Sequence, residues 1–166
     1  MMRYPAIASL VLLLSISMIG YAEESSRDQF DKKQADDRYV AGLGEIMSAT
    51  QLRHAKLWFA GNAENWRLAD FELTEIEEGF EDATKFHPVF KDVPIATLLD
   101  TFTEQPLLRL KEAIESRDDR RFNKAFSELT SACNSCHKAA KREFIVITTP
   151  SESPVTNQKY AMDTAD

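Results

Sequence analysis

Residues 122–140 read FNKAFSELTSACNSCHKAA, and this stretch decides the fold. Its apolar residues recur every three or four positions, which is the spacing of one buried face of an α-helix. We therefore predict a helix that buries both of its cysteines, with His137 one turn beyond Cys133. The apolar face comprises Phe122, Phe126, Leu129, Cys133, Cys136 and Ala140.

Three earlier segments have the same periodicity, and they predict helices over about 37–60, 62–86 and 95–116. The last helix would be capped by Asp118 or Asp119. Four amphipathic helices with short connections predict an all-α fold, an antiparallel four-helix bundle. The expected inward positions of the first three helices are Leu43, Met47, Thr50, His54 and Leu57, then Trp66, Ala69, Leu73, Ile76, Phe80 and Ala83, then Leu98, Leu99, Phe102, Leu110, Ala113 and Ile114.

Local breaks in the pattern predict where these helices end. Gly61 and Asn62 are expected to end the first helix, with Asn62 capping the second. His87 precedes Pro88, which disfavours helical geometry at His87, so the second helix should end there and leave His87 as a surface residue. Pro106 is expected to kink or split the third helix.

The pentapeptide Cys133-Asn134-Ser135-Cys136-His137 carries the chemistry. The pattern C-x-x-C-H is the attachment motif of c-type haem, in which each thiol adds to one vinyl group of the porphyrin and the histidine ligates the iron. The chain has two cysteines, and this use consumes both. A disulfide, a thiol redox site and a zinc site are the alternatives, but we find no βαβ pattern and no second pair of zinc ligands.

The N-terminus is typical of a secretory signal peptide covering residues 1–22. Arg3 supplies a short positive region, an apolar run covers 7–19, and Gly20-Tyr21-Ala22 places small residues at the cleavage position. A membrane anchor is the alternative, but the run is shorter than the roughly 18–20 residues that a span needs. We therefore expect export to the periplasm and no membrane span in the mature chain, which agrees with covalent haem attachment outside the cytoplasm in bacteria.

The mature chain of 144 residues would suit one domain and carry a net charge of −8. No basic stripe is present, so nucleic acid is excluded as an expected partner. An acidic carrier would instead be steered toward a protein with a basic docking patch. The acidic run on the second helix is either a solvated face or that docking surface, and it comprises Glu72, Glu75, Glu78, Glu81 and Asp82.

The rest of the chain divides into a polar lead-in (23–36), the bundle (37–144) and an extended or flexible tail (145–166). Residues 144–149 read FIVITT, which favours extended structure, and two prolines follow. Either the tail is frayed or this apolar strip folds back over the bundle and shields the edge of the haem. Because an exposed strip of this kind would promote aggregation, docking is favoured.

With its C-x-x-C-H on the fourth predicted helix, the region 37–144 resembles the class II c-type cytochromes, the cytochrome c′ family. That resemblance implies a periplasmic four-helix bundle with one covalent haem c held by Cys133 and Cys136, with His137 as the proximal iron ligand. It also implies a basic residue beside the proximal face, where this chain has Lys141, although an ordinary exposed lysine is the alternative. Homodimers formed by helix pairing are implied by analogy alone.

In that family the first helix supplies the residue opposite the proximal histidine. Met47 and His54 lie on one predicted seam of the first helix here, so either could be the distal iron ligand, His54 could be a distal hydrogen-bond donor, or the position could be open. The alternatives are that Met47 fills the core and that His54 is a hydrogen-bonded core residue. A methionine there would fit a single-electron carrier, which is the function we predict. An open site would instead bind nitric oxide or carbon monoxide. No arrangement suited to enzymatic turnover is evident, and Trp58, Phe59 and Trp66 are expected to pack the bundle or the haem face.

Overall fold

The structure is a computed structural model that describes residues 39–162. Residues 41–162 belong to a single unit that contains all the helices described here. The predicted signal peptide (1–22) and the polar lead-in (23–36) lie outside the described residues.

The all-α bundle is confirmed. The helices are α1 (Leu43–Asn62), α2 (Trp66–Phe86), α3 (Ile95–Glu115) and α4 (Asp119–Ala139). Each packs on the next in the chain, and α1 also packs on α4. Short connections make successive helices antiparallel. Among residues 39–162 there is no strand, and the one β-bridge joins Phe90 to Val93 in the α2–α3 connection.

The α1–α2 and α3–α4 turns are built in the same way. Glu64 and Arg117 adopt left-handed backbone conformations, with φ of 54° and 52°. In each turn the residue after the left-handed one donates its backbone N–H to a carbonyl in the last turn of the preceding helix. In the first turn, the Asn65 N–H donates to the Ala60 carbonyl at 3.0 Å. The side chains of Asn65 and Asp118 then cap the following helices. One residue therefore closes one helix and starts the next.

The helix α1 ends at Asn62, within the expected pair Gly61-Asn62, but the individual roles expected of these two residues are wrong. Gly61 lies inside α1 and is buried, because its missing side chain makes room for the ring of Phe122 on α4. Asn62 is the last residue of α1, and its amide donates to the Trp58 carbonyl at 2.8 Å instead of capping α2. A glycine that looks like a helix breaker in sequence is here a site of close helix packing. The beginning of α1 also differs from expectation, since residues 39–42 are not helical.

Pro106 does not split α3. The helix continues from Ile95 to Glu115 with this proline buried inside it. A proline removes one hydrogen bond and crowds the carbonyl four residues earlier, and both effects are tolerated where packing holds the helix together.

The core runs along the whole bundle and follows the predicted seams closely. Phe122 and Phe126 of α4 are fully buried and pack against each other, with 6.1 Å between ring centroids. Trp66 packs on Phe122 and Trp58 on Phe126, so both tryptophans stabilise the bundle itself. The largest fully buried aliphatic side chains are Leu57, Leu73, Ile76, Leu110 and Leu129.

Glu72 departs from the expected acidic surface, because its side chain is fully buried between α1 and α2. Arg53 contacts it at 3.2 Å and Lys56 at 3.6 Å, and Arg53 also reaches Glu75 at 2.7 Å. The expectation that Glu72 faces solvent is wrong. The partly exposed cations of α1 make this burial tolerable, since buried charges are almost always paired.

Candidate functional site

A cavity of about 320 Å³ opens in the half of the bundle where α1 and α3 begin and α2 and α4 end. Its lining includes Met47 and His54 from α1 and Cys133, Cys136 and His137 from α4. The structure thus brings five of the six site residues predicted from sequence to one cavity. Its volume lies at the lower end of the range of about 300–1,000 Å³ found for ligand and cofactor pockets.

The cavity walls are mostly apolar, as a large flat hydrophobic cofactor requires. The lining residues do not include Trp58, Phe59 or Trp66. We expected these aromatic side chains to pack either the bundle or the haem, and they pack the bundle. The apolar residues that line the cavity besides those named above are Leu43, Phe80, Phe90, Val93, Ile95, Leu99, Ala140, Ile145 and Ile147.

The two thiols are not activated nucleophiles. Burial raises the pKa of Cys133 to about 12, with the neighbouring Cys136 adding to the effect, and burial also raises the pKa of Cys136. Cysteines that exchange disulfides have the opposite property, a lowered pKa that supplies thiolate at neutral pH. The environment of this pair therefore disfavours a thiol redox site.

His137 has a defined tautomer. Its Nδ1 lies 2.8 Å from the backbone carbonyl oxygen of Ile145, which can only accept, so Nδ1 carries the proton. Nε2 then has a free lone pair and, among the described residues, no hydrogen-bond partner. Histidines that ligate metals almost always donate their other N–H in this way, to a carboxylate, a carbonyl or a water. His137 is therefore prepared to bind a metal through Nε2.

The end of α4 redirects the chain just after His137. Lys141 adopts a left-handed conformation with φ of 57°, and the Arg142 N–H donates to the His137 carbonyl at 2.7 Å. Lys141 does not line the cavity, whereas Arg142 does. Arg142 is thus the cation beside the site, and sequence reasoning missed it because it assumed that the helix continues past residue 140.

His54 is buried, with 4% of its surface exposed. Its Nε2 lies 2.9 Å from the hydroxyl of Thr130, and that hydroxyl donates its own proton to the Phe126 carbonyl. His54 must therefore be the donor, through Nε2–H. Its ring also lies against that of Phe126, 4.4 Å between centroids, and burial lowers its pKa to about 4.

Met47 offers a different kind of side chain to the same cavity. It is partly buried against the core, and its thioether needs no hydrogen bond. One turn further along α1, Thr50 occupies the space opposite Gly79, where an added Cβ would lie 2.6 Å from the Thr50 hydroxyl. This close approach of α2 supports the cavity-facing part of α1.

The C-terminal tail lies against the bundle. Ile147 is buried, and its backbone N–H and carbonyl both bond to the side chain of Asn134 at 2.8 Å. Further along, the Tyr160 carbonyl accepts from Asn65 and the Tyr160 ring packs on Phe59. The tail therefore extends from the cavity to the α1–α2 turn, as the folded-back alternative requires, although its first apolar residues are exposed.

His87 is more than a surface residue. It is partly buried, and its Nε2 donates to the Ala41 carbonyl at 2.8 Å, which joins the end of α2 to the segment before α1. It remains partly exposed, as expected of a surface residue, but it contacts Ala41, which sequence spacing could not place beside it.

No protein-family model matches the chain, and neither does any curated protein or solved structure. Among residues 39–162, no helix is long and apolar enough to span a membrane. The same residues contain no cluster of three or more histidine, cysteine, aspartate or glutamate side chains arranged to hold a metal ion. A metal at Nε2 of His137 would therefore need ligands beyond those that the described side chains arrange around it.

Proposed function

We propose that this protein is a monohaem c-type cytochrome that carries single electrons in the periplasm. The observation that supports the proposal best is the state of His137, whose Nδ1–H is given to a backbone carbonyl while Nε2 is left free beside two cavity-lining thiols. A porphyrin would supply the four ring nitrogens that a metal site of this kind lacks. The resemblance to class II cytochromes c, which rests on the motif and the bundle, points the same way.

The two cysteines and the histidine of the motif each have one role in this proposal. Cys133 and Cys136 would hold haem c through thioether bonds, and Nε2 of His137 would bind its iron. Haem c would supply one-electron chemistry when bound. The protein supplies orientation, apolar walls and, through Arg142, a positive charge beside the cavity. No enzymatic turnover is proposed.

Met47 is the better of the two candidates for the distal position. The Nε2–H of His54 is committed to Thr130, so ligation through Nε2 would break a buried hydrogen bond and His54 would have to ligate through Nδ1. Met47 has no such commitment, and a methionine opposite a histidine favours electron transfer at a raised potential. We therefore propose His137–Met47 ligation.

Production in a host competent for cytochrome c maturation tests the proposal. Mass spectrometry should show the mass of the signal-cleaved polypeptide plus one haem. The double variant Cys133→Ala, Cys136→Ala should lack the added mass of the haem. The bare polypeptide mass from the unchanged chain would overturn the proposal.

The optical spectrum then identifies the distal ligand. We expect a low-spin spectrum that becomes high-spin in Met47→Leu and is unchanged in Met162→Leu, a substitution at an exposed methionine. Loss of the low-spin spectrum in His54→Leu instead would assign the ligand to His54. A high-spin spectrum in the unchanged protein, with a shift on adding carbon monoxide, would favour the alternative function of gas binding.

The partner in this proposal is a redox protein with a basic docking patch. The full chain has a formal net charge of −7, which steers it toward positive surfaces over distances comparable to the screening length. Electron transfer to such a partner should slow as ionic strength rises. A rate that is independent of salt, or that rises with salt, would contradict this choice of partner.

A further inference from the structure

We propose that Asn134, the first variable residue of the C-x-x-C-H motif, positions the imidazole of His137 by holding the C-terminal tail in register. This inference rests on the proposed function and adds to it, because it assigns the control of the proximal ligand to a residue that touches neither the iron nor the histidine.

Asn134 forms a reciprocal pair with the backbone of Ile147. Its amide donates through Nδ2 to the Ile147 carbonyl and accepts at Oδ1 from the Ile147 N–H, both at 2.8 Å. A side-chain amide offers a donor and an acceptor side by side, which matches the carbonyl and the N–H of one backbone residue. The pair prevents the tail from sliding along its own axis, since a shift by one residue would break both hydrogen bonds.

The register set at Ile147 decides which carbonyl meets His137. Two residues earlier, the Ile145 carbonyl receives Nδ1–H from His137 at 2.8 Å. The Ile145 N–H itself bonds back to the Arg142 carbonyl at 2.8 Å. The carbonyl is thus held between a turn on one side and the Asn134 pair on the other.

Little else holds this part of the tail. Phe144 is 76% exposed and Val146 66% exposed, whereas Ile147 is only 9% exposed. Hydrogen bonds and the single burial of Ile147 therefore determine where the Ile145 carbonyl lies. Without Asn134, the one side-chain hydrogen bond left on this segment among residues 39–162 would be that of His137 itself.

The helix places Asn134 where this control is feasible. It lies three residues before His137, so both side chains are on one face of α4. Ser135, the other variable residue of the motif, is exposed and bonds only to the Ser131 carbonyl of its own helix. The two variable positions of the motif therefore have different roles.

A hydrogen bond from Nδ1–H makes the imidazole a stronger electron donor through Nε2, and this favours the oxidised iron. Loosening the Ile145 carbonyl should weaken that bond. The reduction potential should consequently become more positive, while the covalent attachment through the cysteines should be unaffected.

The test compares Asn134→Ala with Ser135→Ala in the full-length, haem-loaded protein. We expect both variants to carry haem and to have the helix content of the unchanged protein. Asn134→Ala should have a more positive potential, and the Nδ1 proton of His137 should exchange with solvent at least tenfold faster in the reduced protein. Ser135→Ala should match the unchanged protein in both measurements. Equal potentials and equal exchange rates in the two variants would overturn the inference.

A second variant guards against a folding or loading defect in Asn134→Ala. Ile147→Pro removes the N–H that Asn134 accepts and leaves α4 intact, so it should reproduce the positive shift in potential. An unchanged potential in Ile147→Pro would also overturn the inference. Absence of haem from the unchanged chain is a different outcome, because it would contradict the proposed function. In that case, amide hydrogen exchange at Ile147, compared between Asn134→Ala and Ser135→Ala, would still show whether Asn134 holds the tail.

Discussion

The Nε2–H of His54 on α1 donates to the hydroxyl of Thr130 on α4 across 2.9 Å, and both side chains are buried. Since the Thr130 hydroxyl also donates to the Phe126 carbonyl, the three groups form one directed chain of hydrogen bonds between two helices that border the cavity.

Replacing Thr130 by valine should destabilise the fold. Valine has nearly the same shape but cannot accept, so the buried His54 N–H would lose its partner at a cost of about 1–3 kcal/mol. Urea denaturation should measure this loss. Thr101→Val is the matched control, because Thr101 is exposed and bonds only within α3. Equal stability losses in the two variants would contradict the directed chain.

The stability of the protein should fall on acidification because of His54. Its pKa is lowered from 6.5 to about 4 in the folded protein, so between these values the unfolded state binds more protons and stability rises with pH. The contribution is fully present above pH 6.5, and as the pH falls to 4 about 3 kcal/mol is lost. Unfolding measured at pH 7, 5.5 and 4 should therefore show a steeper loss in the unchanged protein than in His54→Phe. Parallel curves would exclude this role of His54.

The burial of the Glu72 carboxylate predicts that removing its partner Arg53 destabilises the fold more than removing Glu72 itself. Arg53→Met should cost about 3 kcal/mol, because it leaves a buried charge with Lys56 alone. Glu72→Met should cost less than about 1 kcal/mol, because Arg53 and Lys56 are partly exposed and can turn to water. Thermal unfolding of both variants tests the order. Arg121→Met, which removes an exposed pair with Glu112, should change stability by at most about 1 kcal/mol.

Two glycines of α1 should respond in opposite directions to alanine. At Gly61 a Cβ would overlap the ring of Phe122, so Gly61→Ala should destabilise by about 1–3 kcal/mol despite the better helix propensity of alanine. At Gly44 nothing lies within 4 Å of the added Cβ, and Gly44→Ala should stabilise by up to about 1 kcal/mol. Guanidinium denaturation of both variants is sufficient. Stabilisation in Gly61→Ala would mean that α1 and α4 can separate at this point without cost.

Periodicity predicted the bundle well because each helix has one buried face, and the spacing of that face is visible in residues such as Leu73, Ile76 and Phe80. Periodicity failed where a neighbouring helix decides the outcome. Gly61 and Glu72 look like a breaker and a surface charge until Phe122 and Arg53 are placed beside them. The sequence around one residue does not show which residues of another helix will lie beside it.

The candidate site was predictable to a similar extent. The motif and the seam of α1 predicted which side chains line the cavity, since both depend on spacing within one helix. Thr130, Asn134 and Arg142 were missed. The role of Thr130 depends on its contact with His54 of α1. The roles of Asn134 and Arg142 depend on where α4 ends and how the tail turns back.

The route of the tail has a practical consequence for attaching the molecule to a surface. Because Tyr160 is anchored beside Asn65, a linker fused after residue 162 departs from the half of the bundle that is remote from the cysteines and His137. A chain tethered to an electrode by its C-terminus would then turn its cavity toward the solution, where a diffusing partner could reach it.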